Sequence, residues 1–155
     1  MPVDPAADNE FEDVTQYLSW DHDGLESMLT EVTHKVDAGE LDEALKRCRD
    51  WDQRLVRHIR IEEELLFPLF DARAGIVAGP TAALREEHRE IRRAVRIMRD
   101  GLAQRDPVAF RQGLAFLRSV LPGHNSKEEH LLFPATDRLL SDSERRALSG
   151  RLQRE

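Results

Sequence analysis

A chain of 155 residues with a net charge of −7 is poorly suited to nonspecific binding of nucleic acid or an anionic membrane, and its length fits one core rather than several. Hydrophobic residues at 40%, charged residues at 34% and few Gly and Pro point to a helix-rich protein, and no apolar run nears the ~20 residues of a membrane span. One cysteine, Cys48, excludes an internal disulfide, and the opening MPVDPAADNE has neither the basic nor the apolar region of a signal peptide, so a cytoplasmic location is expected.

Residues 1–10, rich in Pro, Ala and acidic groups, read as a loose tail. A helical pattern starts near Phe11, with Leu18, His22, Leu25, Leu29, Val32 and Val36 recurring in steps of four and three, and Gly39 is its expected stop. A second helix begins near Leu41 and carries the stripe Leu45, Cys48, Trp51, Leu55, His58, Glu62 and Leu65. Gly and Pro punctuate 72–80, which reads as a loop. A third helix starts near Thr81, the expected N-cap, with Leu84, His88, Ile91, Val95, Met98 and Leu102 on its stripe. Gly101 and Asp106-Pro107 bracket the next turn. The fourth stripe is Phe110, Leu114, Leu117, Leu121, His124, Glu128 and Leu131, with a kink expected at Pro122-Gly123. Ser141 followed by Glu144 is a capping box that opens a short C-terminal helix. Four stripes on short connections predict an all-α protein, an antiparallel up-down-up-down four-helix bundle over 11–138 with that short helix at 139–155.

Two stretches of this pattern are copies. His58-Ile-Arg-Ile-Glu-Glu-Glu-Leu-Leu-Phe-Pro-Leu-Phe-Asp71 recurs as His124-Asn-Ser-Lys-Glu-Glu-His-Leu-Leu-Phe-Pro-Ala-Thr-Asp137, an offset of 66. The same offset carries His22 onto His88 and Leu25 onto Ile91, so 22–71 is echoed by 88–137. The repeat preserves histidines and carboxylates as well as apolar positions, which points to a paired site.

His22, His58, His88 and His124 lie on the apolar stripes, and so do Glu62 and Glu128. Residues four apart share a helix face, so each His-x-x-x-Glu pair directs both side chains to one point. A buried carboxylate is costly unless paired or bound to metal, and two together repel. Cations between the six groups resolve that conflict, and imidazole with carboxylate suits iron, manganese or zinc. A single histidine on an apolar face is usually a hydrogen-bonded core residue, but that does not account for six positions related by one offset. Glu63 and Glu129, a step of five from the histidines, are expected to support the ligands from behind or to face solvent. A distortion after Pro122 could also turn Glu129 inward. His34 and His130 are expected at the surface, and Tyr17 and Cys48 in the packing. Arg85, Arg89, Arg92, Arg96 and Arg99 read as a solvated flank pairing with nearby acids.

These residues resemble the hemerythrin-like family, the HHE cation-binding domain, over about 22–137. The resemblance implies a non-haem centre of two iron ions with an oxo, hydroxo or water bridge. His22 and His58 would bind one ion, His88 and His124 the other, and Glu62 and Glu128 would bridge them. Oxygen-carrying hemerythrins add a fifth histidine one turn before the position of His88, where this chain has Leu84, and an aspartate where it has Glu128. The four-histidine, two-glutamate set is more similar to relatives involved in nitric-oxide response and iron–sulfur repair, which often carry a cysteine-bearing N-terminal domain that is not expected here. The expected function is binding of O2 or NO for sensing, storage or detoxification. The alternatives are a di-iron redox enzyme (an oxidase, peroxidase-like or NO-reducing protein) and an iron-sensing interaction module. No catalytic residue separate from the metal set is legible, and neither is a redox or protein partner.

Overall fold

The 66-residue repeat recurs in the element boundaries. The computed structural model describes residues 11–76 and 79–155, and every regular element among them is helical. α1 (Val14–Asp37) and α2 (Leu41–Ile61) are matched by α4 (Pro80–Ala103) and α5 (Pro107–Lys127). α2 continues through one π-helical turn (Glu62–Leu66) into α3 (Phe67–Ala74), and α5 continues through a second (Glu128–Leu132) into α6 (Phe133–Arg138). α7 (Asp142–Arg154) follows. The expected tail at 1–10 lies outside the described residues. No described helix is long and apolar enough to cross a membrane.

Local chemistry sets the ends. α1 starts at Val14, not Phe11, because the Asp13 carboxylate accepts the N–H of Gln16 at 2.8 Å. Asp106 does the same for Ala109 at 3.1 Å ahead of Pro107, and Ser141 and Glu144 form the expected reciprocal cap. Thr81 is not an N-cap. Gly79 holds that position, Pro80 opens the helix, and the buried Thr81 hydroxyl donates to Asp71. The expected loop at 72–80 is shorter, since α3 runs to Ala74 and Gly75 ends it in the left-handed conformation. Gly101 lies inside α4 rather than at its end. A Cβ there would sit 2.7 Å from the Phe110 backbone nitrogen, so glycine lets α4 and α5 approach.

The π turns explain where the helical period misleads. Proline has no N–H, and its ring collides with the carbonyl four residues back. Each π turn directly precedes a Phe-Pro step, Phe67-Pro68 or Phe133-Pro134, and the Phe N–H reaches back five residues to Glu62 or Glu128. The Glu63 carbonyl, left without the α-helical donor, accepts from Arg85 at 3.1 Å. The wider turn shifts the following side chains by one position. Leu66 and Leu132 are therefore buried where the 3.6-residue period selects Leu65 and Leu131, and Leu131 is 66% exposed. The expected kink at Pro122 does not interrupt α5; the change of winding comes later, at Glu128.

α1 packs along α2 and α4 along α5, and α2 also packs on α4. α1 meets α6, α7 and the second π turn, but its backbone stays farther from that of α5 than the backbone of α2 does from that of α4. Two apolar clusters result. One holds Leu29, Trp51, Met98, Phe110 and Leu117; the other holds Leu18, Leu66, Phe67, Phe133 and, from α7, Leu152. Each fully buried side chain of this kind stabilises by about 1.5–3 kcal/mol. The histidines and glutamates fall between the clusters on every long helix.

The repeat also ties the halves together. Asp137 accepts from the Val14 and Thr15 backbone N–H groups, both at 3.0 Å, and from the Thr15 hydroxyl. Among the described residues its counterpart Asp71 accepts only from the Thr81 hydroxyl, and Pro80, in the place of Val14, has no N–H to offer. Asp137→Ala is expected to lower unfolding free energy by about 2 kcal/mol in urea, and Asp71→Ala by about 1 kcal/mol. Equal losses would show that the two backbone N–H groups add nothing.

Candidate metal centre

Four helices bring His22, His58, His88, His124, Glu62 and Glu128 into one buried layer, and both carboxylates are 0% exposed. The i, i+4 relation sets the first approach on each side. His58 Nε2 lies 2.8 Å from Glu62 Oε1, and His124 Nε2 lies 3.2 Å from Glu128 Oε1. Each glutamate also reaches the other half: Glu128 Oε1 is 3.2 Å from His22 Nε2, and Glu62 Oε1 is 3.7 Å from His88 Nε2. Two groups of four donors could each hold a metal ion, His22–His58–Glu62–Glu128 and Glu62–His88–His124–Glu128. The glutamates belong to both. The rings of His22 and His58 are 4.7 Å apart, as are those of His88 and His124.

Every imidazole is held from behind by a carboxylate. Nδ1 of His58 pairs with Asp21 at 2.8 Å and that of His124 with Glu87 at 3.2 Å. Nδ1 of His22 pairs with Glu129 at 2.8 Å and that of His88 with Glu63 at 2.9 Å. These four partners obey the 66-residue offset too. With Nδ1 engaged, Nε2 is the nitrogen presented inward, the arrangement that orients a metal-binding histidine and raises its basicity. Glu63 and Glu129 thus hold two histidines of the layer from behind. Asp21 and Glu87 were missed, because each reaches a histidine on another helix. The available signal was an acid directly before His22 and before His88.

The inward atoms lack hydrogen bonds. Both oxygens of Glu62 and Glu128, and Nε2 of His58 and His88, are buried without a hydrogen-bonding partner; the 2.8 Å approach of His58 to Glu62 lacks hydrogen-bond geometry. Each such group costs about 1–3 kcal/mol, more when charged, and such donors converging on two points fit cations. Electrostatics agrees. Burial opposes ionisation of Glu62, but His58 and His88 outweigh it and hold the carboxyl well below its usual range. Burial also opposes a proton on His58, yet Glu62 and Asp21 raise it to about 9. His124 is pushed down to about 4 by burial and by the charge of His88, against Glu62 and Glu87. Burial and His58 likewise lower His22. In the metal-free fold, a protonated His58 is therefore an internal counter-charge to Glu62.

The other residues have structural roles. The Tyr17 hydroxyl accepts from Arg57 at 3.0 Å in the second apolar cluster, away from the donors. Cys48 is buried, its thiol pushed up to about 11 by burial and by Asp52. His34 and His130 are exposed. Arg92 pairs with Glu63, Arg99 with Asp52 and Arg89 with Glu86, so the arginine stripe is a flank as expected.

Asp21→Asn is expected to weaken metal affinity by about 10–100-fold. Glu87→Gln, which alters a longer and partly exposed bond, should cost less; competition with a chelator measures both. His58 adds a pH signature. Its folded value lies above the ordinary 6.5, so its contribution is complete below that value and is lost as pH rises through about 9. The metal-free protein should therefore lose stability across that window in thermal melts. Metal loading at neutral pH should release a proton, read by titration in weak buffer.

A model of the hemerythrin HHE cation binding domain matches residues 13–136. No curated protein and no solved structure matches the chain.

Proposed function

The chain belongs to the hemerythrin HHE cation-binding family, and from that premise we propose that its paired donor sets hold two iron ions and bind a diatomic ligand, O2 or NO, in sensing, storage or detoxification. The observation that carries this reading is the small cavity that the six donors themselves line. It measures about 20 Å³, and Leu25, Leu55 and Ile91 complete its walls. So small a space, shared with the ions, favours a ligand of one or two heavy atoms over an organic substrate. Imidazole and carboxylate without thiolate are compatible with iron, and the family supports iron over zinc or manganese.

Two imidazoles and two carboxylates per ion leave coordination positions open, and ferrous iron there would supply those positions and electrons to a diatomic ligand. The chain's own residues do the rest. Glu62 and Glu128 reach across both sets and are the bridging candidates. Asp21, Glu63, Glu87 and Glu129 fix the ring orientations. Phe67 stacks on His88 and Phe133 leans on His22, with ring centroids 5.6 and 5.7 Å apart, which keeps water from that side. Connections of a few residues at 38–40 and 104–106 support an antiparallel up-down-up-down order of the long helices, with α7 packed on one end.

Anaerobic, ferrous-loaded protein is expected to develop a charge-transfer band on exposure to O2 or NO that disappears when the gas is removed, and His88→Leu should lose one iron together with the band. Direct conversion to a ferric spectrum, with turnover when a reductant is supplied, would replace this reading with a redox enzyme. Absence of any iron-dependent band would overturn the assignment.

A further inference from the structure

The two halves match at the donors but not in how they seal the cavity. Offset by 66, the seam between α1 and α5 corresponds to the seam between α4 and α2. The latter is closely packed, and Leu55 and Ile59 line the cavity there as buried residues. Their counterparts on the other seam are Leu121 and Asn125, both only half-buried. The remaining cavity-lining residue that is not buried is Glu26, on α1. So all three non-buried lining residues lie on α1 or α5, the pair of neighbours whose backbones stand farther apart. Glu26 is spanned from α5 by Arg118 at 2.8 Å. Behind this mouth stand the apolar walls, with the indole of Trp51 among them.

We infer that small uncharged molecules enter the centre through the α1/α5 seam, with Asn125 and the Glu26–Arg118 pair setting what passes. An amide where the sealed seam has isoleucine leaves the mouth polar and unsealed. The ion pair bridges the gap with long side chains, and an exposed pair of this kind is weak enough to open readily. The apolar lining behind it makes entry of a charged species costly. The inference rests on the reading of the centre as a ligand-binding metal site, but the route can be measured without iron chemistry.

Trp51 is 1% exposed and lines the cavity, while the other tryptophan, Trp20, is 47% exposed and does not. In a Trp20→Phe chain loaded with zinc, the Trp51 fluorescence lifetime reports access by dissolved dioxygen. Asn125→Ile, which copies the sealed seam, is expected to lower the dioxygen quenching constant several-fold, and Arg118→Ala to raise it. Iodide should quench weakly in every variant. Unchanged dioxygen quenching in both variants, at full helicity and zinc content, would overturn the route while leaving the metal site standing. Strong iodide quenching would overturn the selection against charge. If no variant binds zinc, the same measurement on the metal-free chain decides the route, and the metal reading stands or falls on the iron-dependent band. Should Asn125→Ile not fold, Asn125→Leu and Arg118→Ala carry the test in opposite directions.

Discussion

Two carboxylates with no exposure, Glu62 and Glu128, are the constraint on which the rest of this structure depends. Their oxygens have no hydrogen-bonding partner, and the apolar clusters on either side offer none. Compensation must come from within the layer. Four imidazoles face the carboxylates, but four further acids, Asp21, Glu63, Glu87 and Glu129, hold those imidazoles from behind. Arg54, Arg92 and Lys127 answer Asp21, Glu63 and Glu87 nearer the surface, so the uncompensated negative charge is that of Glu62 and Glu128, at a depth where it is expensive. A protonated His58 answers part of that demand, and cations shared between the donor sets answer it more completely. A fold that needed only stability would do better with apolar residues of the same size. The acids are consistent with cation binding, the property of the family.

The Leu-Phe-Pro motif recurs in both copies of the repeated stretch. In the folded chain it is joined to the site by the π turn. Glu62 and Glu128 each open such a turn, and their carbonyls accept the displaced Phe N–H. Winding wider by one residue keeps His-x-x-x-Glu in α-helical register before the turn and places Leu66 with Phe67, or Leu132 with Phe133, on the buried face after it. The proline cannot serve the ordinary ladder, so the distortion has a local cause. Arg85 closes the remaining gap at the Glu63 carbonyl and lies over Phe67, its guanidinium carbon 5.3 Å from the ring centroid. One member of a stripe that looks like plain surface charge thus supports the backbone beside the buried glutamate.

The repeat gives two similar halves, and the contacts exchanged between them explain why neither would suffice alone. Glu129 holds His22 and Glu63 holds His88; Asp137 caps α1 and Asp71 meets Thr81 of α4. The symmetry breaks at the mouth of the cavity. Buried Ile59 on one seam corresponds to half-buried Asn125 on the other, and Arg92 corresponds to Glu26. A perfectly repeated chain would seal both seams or open both.

The sequence by itself determined the helical class, the repeat, most helix starts and stops, and the six inward polar residues. All of these rest on interactions within a few residues or on a period that one helix enforces. The period failed at Leu65 and Leu131, because a π turn adds a residue that no hydrophobic pattern announces. It also failed at Thr81 and Gly101, where hydroxyl and backbone partners come from other segments. Only the tertiary structure decided that Asp21 serves His58 and Glu129 serves His22, that the two glutamates are shared between donor sets, and that one seam is looser than its twin. Those outcomes depend on how helices far apart in sequence face each other. Spacing along one helix shows which side chains share a face, and only the packing of several helices shows what that face meets.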